Sequence, residues 1–600
     1  MRGTETGSET ADGVSDAARV MSALASLGDD VTVDQTAGFP VLFARRPGPT
    51  EGGLLFRVGW ADEHLSRAGI THLVEHLALF GLNESGLTFG GVTRELTTQF
   101  HVTGSPEEVV TFLNTVTSAL GLGLPRERIP GEKNVLETEE FGRSWGASAR
   151  QRLERHGAQG RGLNGFGAAG LDAITNVDIE HWLSQYFTAG NVIGWISGER
   201  LPEGLEAHLP TGVRRAVPPA SSILDALPAV FQGPPGLVVV DALVARTPAA
   251  TVFARLLSRL LTRELRDEAA LSYSASCHVE GVDAETARLS VAADAKPEHQ
   301  SRVVDLVFGV LSRVRSGDVD LADLRASAAP PTGGASPLEV AEGIPEIASA
   351  ILLGHDVARP EERDRRRRAV SLDDIREVAG QFFESALAQS PSGDVPDASF
   401  HRISPTSESA VTGRVHPRFG VNGHALYIAP DGLSLREHER VYTVAFDECV
   451  LLERWPDGAR RLTGVDGFQV AVEPTLYANV SREILERIDA SVDAGTAVDR
   501  PARAADDIPR PPQTPAPTPT IARRIPGFRI AAVVVLLLFL LGVVLTFNDA
   551  LHIDNPYSDG TVASGETVVG GMVTCAVLAV VSAGLLAAEY ALRRRRRSGD

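Results

Sequence analysis

The stretch GITHLVEHLALFG, residues 69–81, carries two histidines four positions apart with a glutamate between them: His72, Glu75 and His76. On a helix, His72 and His76 fall roughly 40° apart, and Glu75 lies about 60° to the other side of His72. One cavity can therefore receive all three. Two neutral imidazoles can hold zinc, while the carboxylate reaches the bound water rather than the metal. Such a glutamate takes the water's proton and passes it to a leaving amine. The competing reading is a buried helix with two incidental imidazoles, and a third ligand with a matching architecture decides between them.

The chain around this stretch has 600 residues, too many for one core, and 43% of them are apolar, enough for several. Its formal charge of −20 argues against nucleic acid as a partner, because a phosphate-binding surface needs net basic patches. The cysteines Cys277, Cys449 and Cys575 are far apart and suggest neither a disulfide framework nor a thiolate zinc site, which fits a reducing compartment. The acidic, polar start, residues 1–29, has no apolar core of a signal peptide and reads as disordered.

Near the other end, the apolar run at 530–547 is long enough to span a bilayer, and a second follows at 568–592. Arg523, Arg524 and Arg529 precede the first, Arg593 to Arg597 follow the second, and the loop 548–567 holds no Lys or Arg. By the positive-inside rule, spans at 529–547 and 568–592 form a hairpin with an external loop and a basic cytoplasmic tail, 593–600. The expected location is therefore the cell membrane, with the large N-terminal part and both termini cytoplasmic.

Between these ends the pattern is α+β. Over 30–218, strand-like runs alternate with amphipathic helices, and after a Pro-rich linker at 219–236 the order restarts over 237–395. Each half closes on a similar helix, ITNVDIEHWLSQYF with Thr175 as N-cap and VSLDDIREVAGQFF with Ser371, which points to an internal duplication. After a linker at 396–412, residues 413–495 alternate apolar and polar residues around PDG turns and end in a helix. They read as a small β-rich, pleckstrin-homology-like barrel. Residues 496–528 form a Pro-rich spacer.

For a third ligand, GEKNVLETEEF at 131–141 offers Glu132, Glu137, Glu139 and Glu140 on one helix. Here the chain resembles the M16 metallopeptidases (pitrilysin, insulinase, mitochondrial processing peptidase), whose HxxEH inverts the HExxH order and is followed by two glutamates seven residues apart. The resemblance covers roughly residues 30–390. It implies two duplicated α/β domains, one Zn²⁺ held by His72, His76 and Glu139, Glu75 as catalytic base, and Glu132 supporting the ligands. Glu137 and Glu140 lie on other faces and read as solvated. LTRELRDEAALSYSAS is similar to the family's substrate-gripping segment, which makes Arg266 and Tyr273 the substrate-binding pair. The second domain lacks HxxEH and would be the inactive repeat.

The chain departs from the family in two places. Gly90 and Gly91 stand where an Asn-Ala pair would meet substrate backbone, and FARLLSRLL lacks the usual glycine-rich turn. The interval from His76 to Glu139 is also somewhat short. The resemblance implies a zinc endopeptidase acting on peptides or unfolded segments. Its subunits pair, as a homodimer or with another M16-like chain, and Arg266 and Tyr273 come from the partner. The alternative is a scaffold that binds peptides or a partner protease. The basic run RDRRRR at 363–368 reads as a solvated face, and His64 and His101 as incidental.

Overall fold

The computed structural model describes residue 20 and residues 30–511, apart from short breaks at 36, 83–86, 143–145, 207, 221, 331–340 and 342. All of these belong to one compact unit, Met1–Pro512. The expected membrane hairpin lies outside the described residues, and among those described no helix is long and apolar enough to cross a membrane.

The first α/β half is built on a sheet of β1 (Thr32–Asp34), β2 (Val41–Arg45), β3 (Thr50–Phe56), β4 (Thr88–Thr93), β5 (Thr98–Gly104) and β6 (Val192–Gly198). Its order is β1-β2-β6-β3-β5-β4, antiparallel throughout except for β2 beside β6. Helices α1 (Ile70–Leu79), α2 (Pro106–Leu122), α3 (Ile129–Gly142), α4 (Gly146–His156) and α5 (Asn176–Tyr186) complete it. Leu73, Val74 and Leu77 of α1 join Phe100, Phe112 and Phe187 in a core on one face of this sheet.

The second half repeats the plan. Its sheet holds β7 (Ala229–Gln232), β8 (Leu237–Ala245), β9 (Ala275–Gly281), β10 (Thr286–Asp294), β11 (Leu387–Ser390) and β12 (His401–Arg402), in the order β12-β7-β11-β8-β10-β9. The run β7-β11-β8-β10-β9 matches β2-β6-β3-β5-β4 strand for strand, including the parallel pair, β7 beside β11. Helices α6 (Pro248–Leu261), α7 (Gln300–Ser316), α8 (Leu321–Ala328), α9 (Ile344–Leu352), α10 (Pro360–Arg368) and α11 (Leu372–Ser385) accompany it. The duplication is therefore topological, and α1 and α6 occupy equivalent places between equivalent strands. Both closing helices start as their sequences predict: Thr175 accepts from the Asp178 amide and Ser371 from the Asp374 amide, each within a reciprocal capping box.

The two halves are locked. On one side α9 lays Ile344, Ala348 and Ile351 against Leu42, Leu55 and Trp195 of the first sheet. On the other, α4 and the turn after it meet β8–β10 through polar contacts centred on the buried Arg155, Asp241 and Arg288. Arg155 donates to Asp241 Oδ1 at 2.8 Å, Arg152 pairs with Glu280 at 3.0 Å, and Arg161, held by Glu95 of its own half, donates to the Val282 carbonyl. Arg288 reaches His156 at 3.1 Å.

The third unit has two four-stranded sheets. One is β13 (Arg414–Pro417), β14 (His424–Ile428), β15 (Gly432–Glu437) and β16 (Arg440–Ala445), in that order. The other is β17 (Cys449–Arg454), β18 (Arg460–Gly464), β19 (Gln469–Val472) and β20 (Ala497–Asp499), in the order β19-β18-β17-β20. Leu433, Val444, Leu452, Leu462 and Val470 of both sheets share one core with Ile484 and Ile488 of helix α12 (Arg482–Ser491).

Three boundaries move. The stretch expected to link the halves, 219–236, contains β7, because Ala229, Val230 and Phe231 are buried and the strand pairs between β11 and β12 despite the prolines around it. The 396–412 linker supplies β12, and the 496–528 spacer supplies β20, paired in parallel with β17.

Candidate active site

Helix α1 begins without a capping side chain at its own N-cap, Gly69, which adopts φ +98°. A Cβ there would sit 2.9 Å from Ala168 Cβ, so glycine is required by both angle and space. The cap comes from Glu63, whose carboxylate accepts from the Gly69 amide at 2.7 Å and the Thr71 amide at 2.9 Å. A carboxylate at this end satisfies orphan amides and complements the helix dipole. Glu63 is nevertheless buried deeply enough that its pKa is pushed up to about 7, with desolvation outweighing those hydrogen bonds.

From this start α1 turns His72, Glu75 and His76 toward one cavity while burying Leu73, Val74 and Leu77. One ligand atom from each of the three lies within 4.8 Å of the others. The two imidazoles meet edge to face, with centroids 4.7 Å apart. Glu139 of α3 stands opposite, its carboxylate oxygens 3.7 Å from His72 Nε2 and 3.7 Å from His76 Nε2. Ligand atoms each about 2 Å from one tetrahedral metal are roughly 3.3 Å apart, so this spacing suits a shared ion after a small contraction. Glu132, one face-sharing heptad earlier on α3, accepts from His76 Nδ1 at 3.3 Å. Were His76 to hold a metal through Nε2, such an outer carboxylate contact would fix its imidazole's orientation.

Glu75 is 4% exposed and receives a 2.7 Å hydrogen bond from Thr93 Oγ1 of β4. Burial raises its pKa, opposed by Thr93 and His76 and aided by the charge of Glu139. Its other oxygen lies over Gly91, where a Cβ would come within 2.4 Å. The glycine pair thus has a steric reason: Gly91 makes room for Glu75, and a Cβ on Gly90 would strike the His101 ring at 2.8 Å.

The cavity, about 520 Å³, is walled by Trp60, Glu63, Thr93 and Glu140, and by Leu163, Asn164, Gly167 and Ala168 of the segment after α4. Glu140 is half-buried here, not solvated as expected, whereas Glu137 is exposed. β4 is the outermost strand of its sheet and passes directly beside Glu75, so one backbone edge is unpaired within the sheet at the cavity.

The other expected pair is together but elsewhere. Arg266 rides on a widened π-helical turn, Thr262–Glu268, and its guanidinium lies 5.5 Å from the centre of the Tyr273 ring, which is 80% exposed. Neither residue lines the cavity of His72 and His76. RDRRRR falls on α10, where Arg366 pairs with Glu362 and Asp356, as expected of a solvated face.

Sequence reasoning missed Glu63 and Thr93. Glu63 precedes His72 by nine residues and acts through a loop, and Thr93 reaches Glu75 across a strand, so neither carries a local spacing signal.

No protein-family model matches the chain, and no curated protein does. Among solved structures it is similar to a peptidase M16 inactive domain from Pseudomonas fluorescens, at 15% identity and a TM-score of 0.49, over 60% of this chain and 97% of that one. It is also similar to a protease from Helicobacter pylori (17% identity, TM-score 0.48, 60% and 99% covered). A third likeness is to the periplasmic protease PqqL from Escherichia coli (12% identity, TM-score 0.49, 70% and 56% covered).

Proposed function

We propose that the chain is a zinc-dependent endopeptidase of M16 type that cleaves peptides or unfolded segments. The observation that carries this reading is that one Glu139 oxygen lies 3.7 Å from His72 Nε2 and the other 3.7 Å from His76 Nε2, with Glu75 held against the same cavity by Thr93. Two imidazoles and a carboxylate, with a second carboxylate on the outer nitrogen of His76, suit Zn²⁺. When bound, the ion supplies an acidified water and polarises the peptide carbonyl.

The chain's own groups do the rest. β4 offers its free edge to an extended peptide, which adds as a further strand and is held through its backbone. Glu75 takes a proton from the attacking water and delivers it to the leaving nitrogen. Burial has already raised its affinity for that proton, as a general base requires. Arg266 and Tyr273 face solvent and are available to a second subunit's site, in a homodimer or a pair with another M16-like chain. The apolar runs at 530–547 and 568–592 tether the catalytic region to the cytoplasmic face of the cell membrane.

The test is metal analysis of the full-length protein together with cleavage of a quenched peptide library, alongside Glu75→Gln. We expect stoichiometric zinc in both and a fall in kcat of about 10²–10⁴-fold in the variant. Zinc with equal inactivity in both proteins would favour the peptide-binding scaffold. No zinc would end the reading.

A further inference from the structure

The third unit is expected to be a separate β-rich module, yet it is built into the back of the candidate site. Leu451 of β17 and Val498 of β20 pack in one apolar cluster with Leu65, Ala68, Ala158 and Leu163. Leu65 and Ala68 sit just before α1, and Leu163 is cavity wall. Ser66 Oγ donates to the Gly495 carbonyl at 2.8 Å, and the Ala158 amide donates to the Val465 carbonyl at 2.6 Å.

Arg500, directly after β20, closes this contact. Its Nη2 donates to the Ala169 carbonyl at 2.7 Å, its Nη1 to Asp172 Oδ2 at 2.8 Å, and its Nε to Glu453 Oε1 at 2.9 Å. Glu453 is 1% exposed and also holds Arg461, so the anchor itself is fixed.

The segment so gripped is GAQGRGLNGFGAAG, residues 157–170. Six of its fourteen residues are glycine, and its regular structure is a single 3-10 stretch, Gly160–Gly165. Glycine-rich backbone has the most conformational freedom to lose on ordering. Its shape must therefore be imposed by what it packs against, and one of those surfaces is the third unit.

We propose that the third unit is a structural part of the catalytic centre, and that Arg500 is a positioning residue. By fixing the 157–173 wall, Arg500 sets the volume that receives peptide in front of His72, Glu75 and His76. The claim about peptide rests on the peptidase reading; the claim about the wall does not.

Full-length protein carrying Arg500→Ala tests both, with hydrogen exchange, bound zinc and peptide kinetics as readouts. Loss of charged hydrogen bonds should speed amide exchange within 157–173 by about tenfold or more. It should raise KM by a similar factor, leaving kcat, bound zinc and exchange in the second half near wild type. Arg500→Lys, which keeps the charge but not the three-way geometry, should fall between. Arg482→Ala on the exposed start of α12 should change nothing. Unchanged exchange in Arg500→Ala overturns the proposal. Faster local exchange in a protein that cleaves no peptide keeps the wall claim and removes the peptidase reading. If Arg500→Ala does not fold, Arg500→Lys and Ser66→Ala decide: local acceleration supports the proposal and its absence overturns it.

Discussion

Helices α1 and α6 occupy the same place in two copies of one topology, and they are put to different uses. α6 commits its inner face to packing: Val252, Phe253, Leu256, Leu257 and Leu260 are all buried. α1 buries Leu73, Val74 and Leu77 on one side and gives the remaining turn to His72, Glu75 and His76. The apolar positions that hold a helix on its sheet are enough for the fold. The candidate site occupies the face left over, with Glu75 itself buried beside the two imidazoles. In the first half that face is also held by polar contacts from Glu63, Thr93 and Glu132.

Three substitutions test this contrast, and the largest effect belongs to the half without the site. Phe253→Ala removes a ring that packs on Phe382, and should destabilise the chain by about 3–5 kcal/mol in denaturant unfolding. Zinc affinity of the folded fraction should stay unchanged. Wild-type stability would mean that the Phe253 ring does not hold α6 in its core. Glu132→Ala should do the reverse: stability nearly intact, but zinc bound roughly 10–100-fold more weakly in competition with a chelator. Equal zinc affinity would mean that the contact with His76 Nδ1 does not support a ligand.

The smallest effect concerns Glu63. Its pKa is raised in the folded state, from the usual 4.5 to about 7, so its protonated form is the one folding favours. That contribution is complete below the unfolded pKa and is lost as pH rises through the folded one. The melting temperature of wild type should therefore drop between about pH 5 and pH 8 by more than that of Glu63→Gln, which carries no charge to bury. Parallel curves would mean that Glu63 titrates as an exposed carboxylate.

Much of this was legible in the sequence because it is written locally. HxxEH, the Glu132–Glu139 spacing and the caps at Thr175 and Ser371 each depend on residues within two helical turns, and each stands where its spacing put it. What escaped is carried by contacts across long separations. β7 is four residues among prolines, and it is a strand only because β11, more than 150 residues later, lies beside it. Arg500 read as part of a spacer, since its partners Ala169 and Asp172 are over 300 positions away. The Gly90–Gly91 pair looked like drift from a substrate-binding segment, and its meaning emerged only when Glu75 was found lying over it.

The joint between the halves has a consequence of its own. Arg155 of the first half lies in one dry seam with Asp241 and Arg288 of the second, and its ion pair with Asp241 crosses from one half to the other. A greasy seam could slide or be parted into two sticky but intact pieces. This one is keyed, because any slippage that parted Arg155 from Asp241 inside the seam would leave a buried charge unpaired. Two repeats that share a single blueprint have thus become inseparable, and a chain cut between residues 218 and 229 would yield fragments rather than two domains.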